Sequence, residues 1–424
     1  MNKEQYTKNT LTYHSEPKPG KIEVRPSKVH NTELALSLAC SSGVAEPCFE
    51  ITHNAENVYK YTTKGNLVAV ISNGTSVLGL GNIGPLASKP AMEGNVMLLK
   101  TYADIDAFDI ELDTTDIDVF VKTVKTIAPT FGAIDLVDIK APECFEIENR
   151  LNDILDIPVM HDNHHGIGIV SAAALLNACE IAEKKISELK IIVYGTDPAA
   201  IACAKMFTLI GARQGNIIMF DSNGIISSDR TDLDKYKKEF ATSTSFKTLV
   251  DSLKDADVFI DFSKDGKLTE DMLTGMSKNP IVFLLANTNP EITIEVSKSN
   301  RLDTILATVR NDLPNQLIKD LCYPYIFRGA LDVRASKIND EMKLAAVYAL
   351  SDLAKEPDVF AKFTNEAFHF EFGKDYFIPK PFDNRLGYVV ATAVAKAAVK
   401  SGVARLNIEN WQDYTHQLFC RTVI

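Results

Sequence analysis

The feature that most constrains this chain is a series of short apolar segments between Lys190 and residue 308. KIIVY, NIIMF just before Asp221, DVFID at 257–261, IVFLL at 281–285 and TILAT at 304–308 are each of strand length. They are continuous rather than alternating, and helical stretches separate them, as expected of strands buried on both faces. A doubly wound parallel sheet with helices on both faces follows. After residue 337 the chain turns helical, in INDEMKLAAVYALSDLAKE and LGYVVATAVAKAAVKSG, whose apolar faces need burial on this domain or on another subunit. Before about residue 160, runs such as LVAVIS at 67–72 mix with turn signals and predict a second α/β unit rich in loops. The predicted division is therefore 1–160 and 161–424, with a helix around SAAALLNACEIAEKK joining the two.

The 424 residues are too many for one core, and 46% apolar with 24% charged residues is ordinary for a globular protein. With 45 Lys and Arg against 56 Asp and Glu, the net charge of -11 argues against nucleic acid and anionic membranes as partners. Seven cysteines, at 40, 48, 144, 179, 203, 322 and 420, form no CxxC pair, which fits reduced thiols and a cytoplasmic location. The opening residues show no signal-peptide core, and no apolar run reads as long enough to cross a membrane.

Four segments carry a family likeness: GVAEPC at 43–48, KGNLVAVISNGTSVLGLGNIGPLASKP at 64–90, APTFGAIDLVDIKAPECFEIE at 128–148 and FRGALDVRA at 327–335. In sequence and order they resemble the short, bacterial-type malic enzymes. That resemblance implies a malic-type α/β domain followed by a Rossmann-like NAD-binding domain with C-terminal helices. It also implies oxidation of malate to pyruvate and carbon dioxide with NAD or NADP and Mg or Mn.

Set against the same family, the chemical positions of this chain depart. Oxidising an alcohol needs a base for the hydroxyl proton, and protonating the product enol needs an acid. Where the family carries Tyr in a motif like LAYSPGVAEPC, this chain has Cys40; where it carries Lys in a motif like VMEGK, this chain has Asn95. An amide does not titrate in the useful range. Cys40 reads as a small, half-buried apolar residue, and neighbouring Lys89 as a poor substitute for the base. A hard cation needs several oxygen ligands. The family's ligands, in LED and at the second aspartate of HDDQHG, fall here on LVD and HDNHHG, so Val137 and Asn163 replace two of three ligating carboxylates, Asp138 remains as the third, and the preceding Asp162 is kept. Metal binding is expected to be weak, with a softer site on His161, His164 and His165 as a minor alternative.

The phosphate-binding turn departs too. The family motif resembles NGAGAAG; here Tyr194 to Ala200 reads YGTDPAA, which keeps Gly195 and places Asp197 as helix N-cap before Pro198. That carboxylate would repel a pyrophosphate. Asp221, ending the next strand, could meet an adenosine ribose, and Asn287 stands in ANTNPEI where the family has ANPDPEI. Ile318 and Lys319 replace two asparagines that would help hold malate. Taken together, these changes predict a catalytically inactive homologue without a cofactor, serving as a structural or regulatory subunit. It would assemble with itself or with an active paralogue. The other readings are a working malate oxidoreductase and a sensor that binds a small metabolite.

Overall fold

The computed structural model describes residues 3–28, 31–40, 43–77, 79–263, 266–286, 301–356 and 371–422. The chain divides into two compact units, Met1–Lys140 with Ile147–Val159, and Ala141–Glu146 with Met160–Ile424.

The first unit is built on the parallel strands β1 (Leu67–Ser72), β2 (Asp106–Glu111) and β3 (Ala133–Leu136), and β4 (Val159–His161) leads the chain out of it. The order is β2-β1-β3-β4, so the LVAVIS run forms a central strand whose six residues are all buried. Its unbroken apolar character is what two covered faces demand. Pro85 opens the helix Pro85–Ala103 from its first turn, where a missing N–H costs nothing, and Asp104 ends it in the left-handed conformation at φ 49°.

In the second unit, β5 (Ile191–Tyr194), β6 (Ile217–Asp221), β7 (Gly224–Ile225), β8 (Val258–Asp261), β9 (Ile281–Leu284) and β10 (Ile305–Thr308) form one sheet in the order β10-β9-β8-β5-β6-β7. All neighbours run parallel except β7, a two-residue strand antiparallel to β6 that no apolar run announces. Its core includes Ile192, Phe220, Phe259 and Val282. The strand order reverses around β5, with β6 on one side and β8 on the other. Such a switch point opens a crevice at the carboxyl end of the sheet, where doubly wound folds take their ligands.

The expected joining helix is instead a core helix, Asp162–Ala182, packed against the helices Pro198–Leu209 and Asp340–Leu353. Contrary to the reading of the sequence, it is long and apolar enough to cross a membrane, but 72% of its most apolar stretch is buried inside the protein. Buried Asn177 fixes its packing: the amide donates to the carbonyls of Ser351 and Phe377, both at 2.9 Å, and accepts from Ser351 Oγ at 2.7 Å.

Candidate active site

In the first unit the positions in question lie on separate elements. Cys40 closes the short helix Glu33–Ala39, its N–H donating to the Leu36 carbonyl at 2.9 Å. Its side chain is exposed, which corrects the half-buried expectation. Asn95 is buried on the helix Pro85–Ala103, where Nδ2 makes a 3.4 Å contact with the Ala91 carbonyl. Lys89 on the same helix lies 2.5 Å from Asp109, with Glu93 and Glu111 at 3.9 and 3.8 Å. Burial opposes its charge, but the hydrogen bond it donates to Asp109 and the surrounding carboxylates outweigh burial and raise its pKa. A lysine held protonated in this way is unsuited to be a general base. Val137 and Asp138 follow β3, both buried, with Asp138 in the left-handed region at φ 52° and its carbonyl accepting from Ser76 N–H at 3.0 Å.

In the second unit Asp162 begins the helix Asp162–Ala182 and is fully buried. Lys319 forms an ion pair with its Oδ2, while the Asn163 N–H donates to Oδ1. Lys319 opens a one-turn helix, Lys319–Leu321, and its ammonium also lies 4.9 Å from the centre of the Tyr323 ring. Gly166 makes this approach possible, because a Cβ there would come within 2.7 Å of Lys319 Cβ. Asp320, next in the chain, has its pKa raised by burial.

The softer metal site does not form. His161 and His164 stack face to face with centroids 3.5 Å apart and planes 8° from parallel. Stacked rings do not converge their nitrogens on one point, and burial followed by the neighbouring His161 depresses the pKa of His164 well below the ordinary value. Among the described residues no group of three or more His, Cys, Asp and Glu could hold a metal ion. The residues at the family's metal positions do not fit a hard cation either. Val137 offers hydrocarbon and Asn163 a neutral amide, which leaves Asp138 as the one carboxylate of the three positions.

The turn after β5 sits at the switch point. Gly195 has φ +134° and a Cβ there would lie 2.7 Å from Phe262 Cβ, so only glycine fits. Asp197 caps the helix Pro198–Leu209, accepting from Ala200 N–H at 2.8 Å. The protein around it desolvates its carboxyl and pushes its pKa up to about 6, although the residue still reaches solvent. Across the sheet, Asp221 receives both Arg230 terminal nitrogens, at 2.8 and 2.9 Å, and Arg230 also binds Asp232. Burial alone would raise the Asp221 pKa; the Arg230 hydrogen bonds more than offset it and hold the pKa down. Asn287 lies outside the described residues. A glycine-only turn at the switch point and an acid ending the next strand fit a dinucleotide, whereas the Asp197 carboxylate at the helix start works against its pyrophosphate. The sequence reading did not find Arg230 or the Asp162–Lys319 pair, whose members are 157 residues apart.

The fold and these turns define a two-part α/β protein whose second part is a Rossmann-like, NAD-binding domain. Residues 19–152 match the malic enzyme N-terminal domain, and residues 165–363 match the malic enzyme NAD binding domain. The chain is 50% identical over 398 residues to the NADP-dependent malic enzyme of Halomonas elongata, covering 93% of this chain and 94% of that one. It is 50% identical over 425 residues to the probable NADP-dependent malic enzyme of Rickettsia prowazekii, covering 99% of this chain and 55% of that protein. The crystal structure of malic enzyme from Pyrococcus horikoshii superposes with a TM-score of 0.88 at 38% identity, covering 98% of this chain and 96% of that one. The chain belongs to the malic enzyme family. It also spans only about half the length of the first curated relatives it matches.

These findings overturn the expectation of an inactive scaffold without a cofactor. Half of all positions are shared with a relative named for the activity over nearly the whole of both chains, more than burial pattern and turn chemistry alone require of a conserved fold. Comparison of single positions registers side chains lost from a motif and not the neighbours that folding brings together, as it brings Lys319 to Asp162.

Proposed function

We propose that this chain is a malate oxidoreductase that converts the 2-hydroxy dicarboxylate to pyruvate and carbon dioxide, using a nicotinamide dinucleotide. The observation that carries this reading is the 50% identity to the Halomonas elongata enzyme across nearly the full length of both proteins. In the reaction the C2 hydroxyl loses its proton and C2 loses a hydride. The C3–C4 bond then breaks, its electron pair forms an enolate, and a proton returns to C3. The dinucleotide, when bound, supplies the hydride acceptor.

The chain's own residues have definable parts in this. The Gly195 turn would carry the pyrophosphate at the switch point, beside a helix start whose Ala200 N–H is already taken by Asp197, and Asp221, oriented by Arg230, would meet the adenosine ribose. Asn95 can donate and accept hydrogen bonds at its buried position but carries no proton for catalysis. Residues 1–160 are the substrate-side domain in this reading and 161–424 the dinucleotide domain. The seven free cysteines, four of them buried, support a reducing, cytoplasmic location. Leu34, Leu36 and Leu38, all exposed on a helix with no buried residue, support self-association of the chain.

Product analysis tests the reaction itself. Given malate and NAD or NADP, the purified protein should form pyruvate and reduced dinucleotide in equal amounts. Reduced dinucleotide without pyruvate would contradict the decarboxylation step.

A further inference from the structure

The β6–β7 hairpin and the loop that follows it hold one guanidinium in a closed clamp. Arg230 has five N–H donors, and each meets an acceptor. Nη1 and Nη2 donate to the two oxygens of Asp221 at 2.8 and 2.9 Å, and Nε and Nη2 to those of Asp232 at 2.9 and 2.6 Å. The second Nη1 hydrogen goes to the Ile225 carbonyl at 3.3 Å. Asp221 is only partly filled: besides the two Arg230 bonds, its Oδ1 accepts the Asn223 N–H at 2.9 Å. A carboxylate accepts at about four sites, which leaves about one, on Oδ2. Lys237 is the other cation that acts on Asp221, and it lies 3.9 Å from Asp234. The carboxylates Asp221, Asp232 and Asp234 therefore outnumber the cations Arg230 and Lys237, and the local charge is negative.

We propose that this clamp selects the dinucleotide: the open acceptor of Asp221 takes an adenosine ribose hydroxyl, whereas Arg230, closed off by Asp232, has no donor left for a 2′-phosphate, so the chain prefers NAD to NADP. An arginine near the ribose is the usual receptor of a 2′-phosphate. A free guanidinium grips phosphate through two parallel bonds; here Asp221 and Asp232 already occupy both of the edges that could do so. The excess of carboxylates adds repulsion of a second phosphate group. Asp232, whose side chain is 53% exposed, is a positioning residue: it acts through Arg230. The relatives named above for NADP leave the choice open, because it is made by a few side chains at the ribose and not by overall identity. The inference rests on the reading of this crevice as a dinucleotide site, and not on turnover of malate.

Equilibrium dialysis of the whole protein against NADH and against NADPH, without malate, tests this apart from any turnover. The unaltered protein should bind NADH about tenfold or more tightly than NADPH. Asp232→Ala releases the Nε hydrogen and one Nη2 hydrogen of Arg230 and leaves Asp221 in place. It should tighten NADPH by about tenfold or more and change NADH by less than about threefold. Asp232→Asn, which keeps the shape and one acceptor, should shift NADPH in the same direction by less. Adding Arg230→Gln to Asp232→Ala should abolish the gain, which a mere loosening of the loop would not do. Equal or tighter binding of NADPH by the unaltered protein would overturn the preference. NADPH binding unchanged in Asp232→Ala would overturn the role of the clamp. Binding of neither dinucleotide would refute the dinucleotide reading and this inference with it, whereas failure of malate oxidation alone would leave the measured selectivity standing.

Discussion

At the scale of single residues, Asp197 shows how one side chain serves the fold and acts against the ligand. Its carboxylate caps the helix Pro198–Leu209 and so stands where a pyrophosphate is expected. Desolvation pushes its pKa up to about 6 from an ordinary 3.8. The folded chain therefore holds this proton more tightly than the unfolded one. The associated stability is fully present below about pH 3.8 and is lost as pH rises through about 6, damped because the residue reaches solvent. Asparagine caps helices as well as aspartate does. Asp197→Asn should accordingly flatten this part of the pH dependence between 4 and 6 in urea unfolding and tighten NAD or NADP binding at pH 8. Equal or weaker binding in the variant would show that the cap and the ligand do not compete. The sequence made the cap legible because Asp followed by Pro is a local signal. The Asp162–Lys319 pair was not legible, because only the folded chain brings together groups so far apart in sequence.

At the scale of elements, the strands were the most readable part. KIIVY, NIIMF with the Asp221 that follows it, DVFID, IVFLL and TILAT each contain one strand of the observed sheet, since a strand covered on both faces can be read from its apolar run alone. The helix Asp162–Ala182 was read only in part, from its alanine-rich half, because the polar HDNHHG stretch at its start resembles a loop. What holds that helix in place is a buried amide that no periodicity predicts. Asn177→Ala removes partners from Ser351 Oγ and from two carbonyls at once. It should cost roughly 2–4 kcal/mol in urea unfolding, the sum of the exposed penalties and a small cavity. A loss below about 0.5 kcal/mol, the level of an ordinary surface change, would mean that water replaces those bonds without cost.

At the scale of the whole molecule, family and architecture were legible and activity was misread. Long motifs in the family's order fixed the two-part architecture, and the matched domains and the Pyrococcus horikoshii structure agree with it. Cys40, Asn95, Val137 and Asn163 each read as a loss when taken one position at a time, and single positions carry no information on groups that only the fold brings together, such as Lys319 and Asp162. Self-association belongs to this scale as well. With Leu34, Leu36 and Leu38 exposed on one short helix, light scattering should give a mass of at least twice 46.7 kDa, and Leu36→Lys should lower it. A monomer before substitution would dissociate the exposed leucines from any assembly.

Malate oxidation by this chain is tested most directly by the rate at which the purified protein reduces NAD or NADP when malate is added, measured with manganese and again with a chelator. Turnover on the order of 1 per second is expected with one of the two dinucleotides, retained in the chelator; a rate no greater than that of a blank without protein, with both dinucleotides and in both conditions, would contradict it.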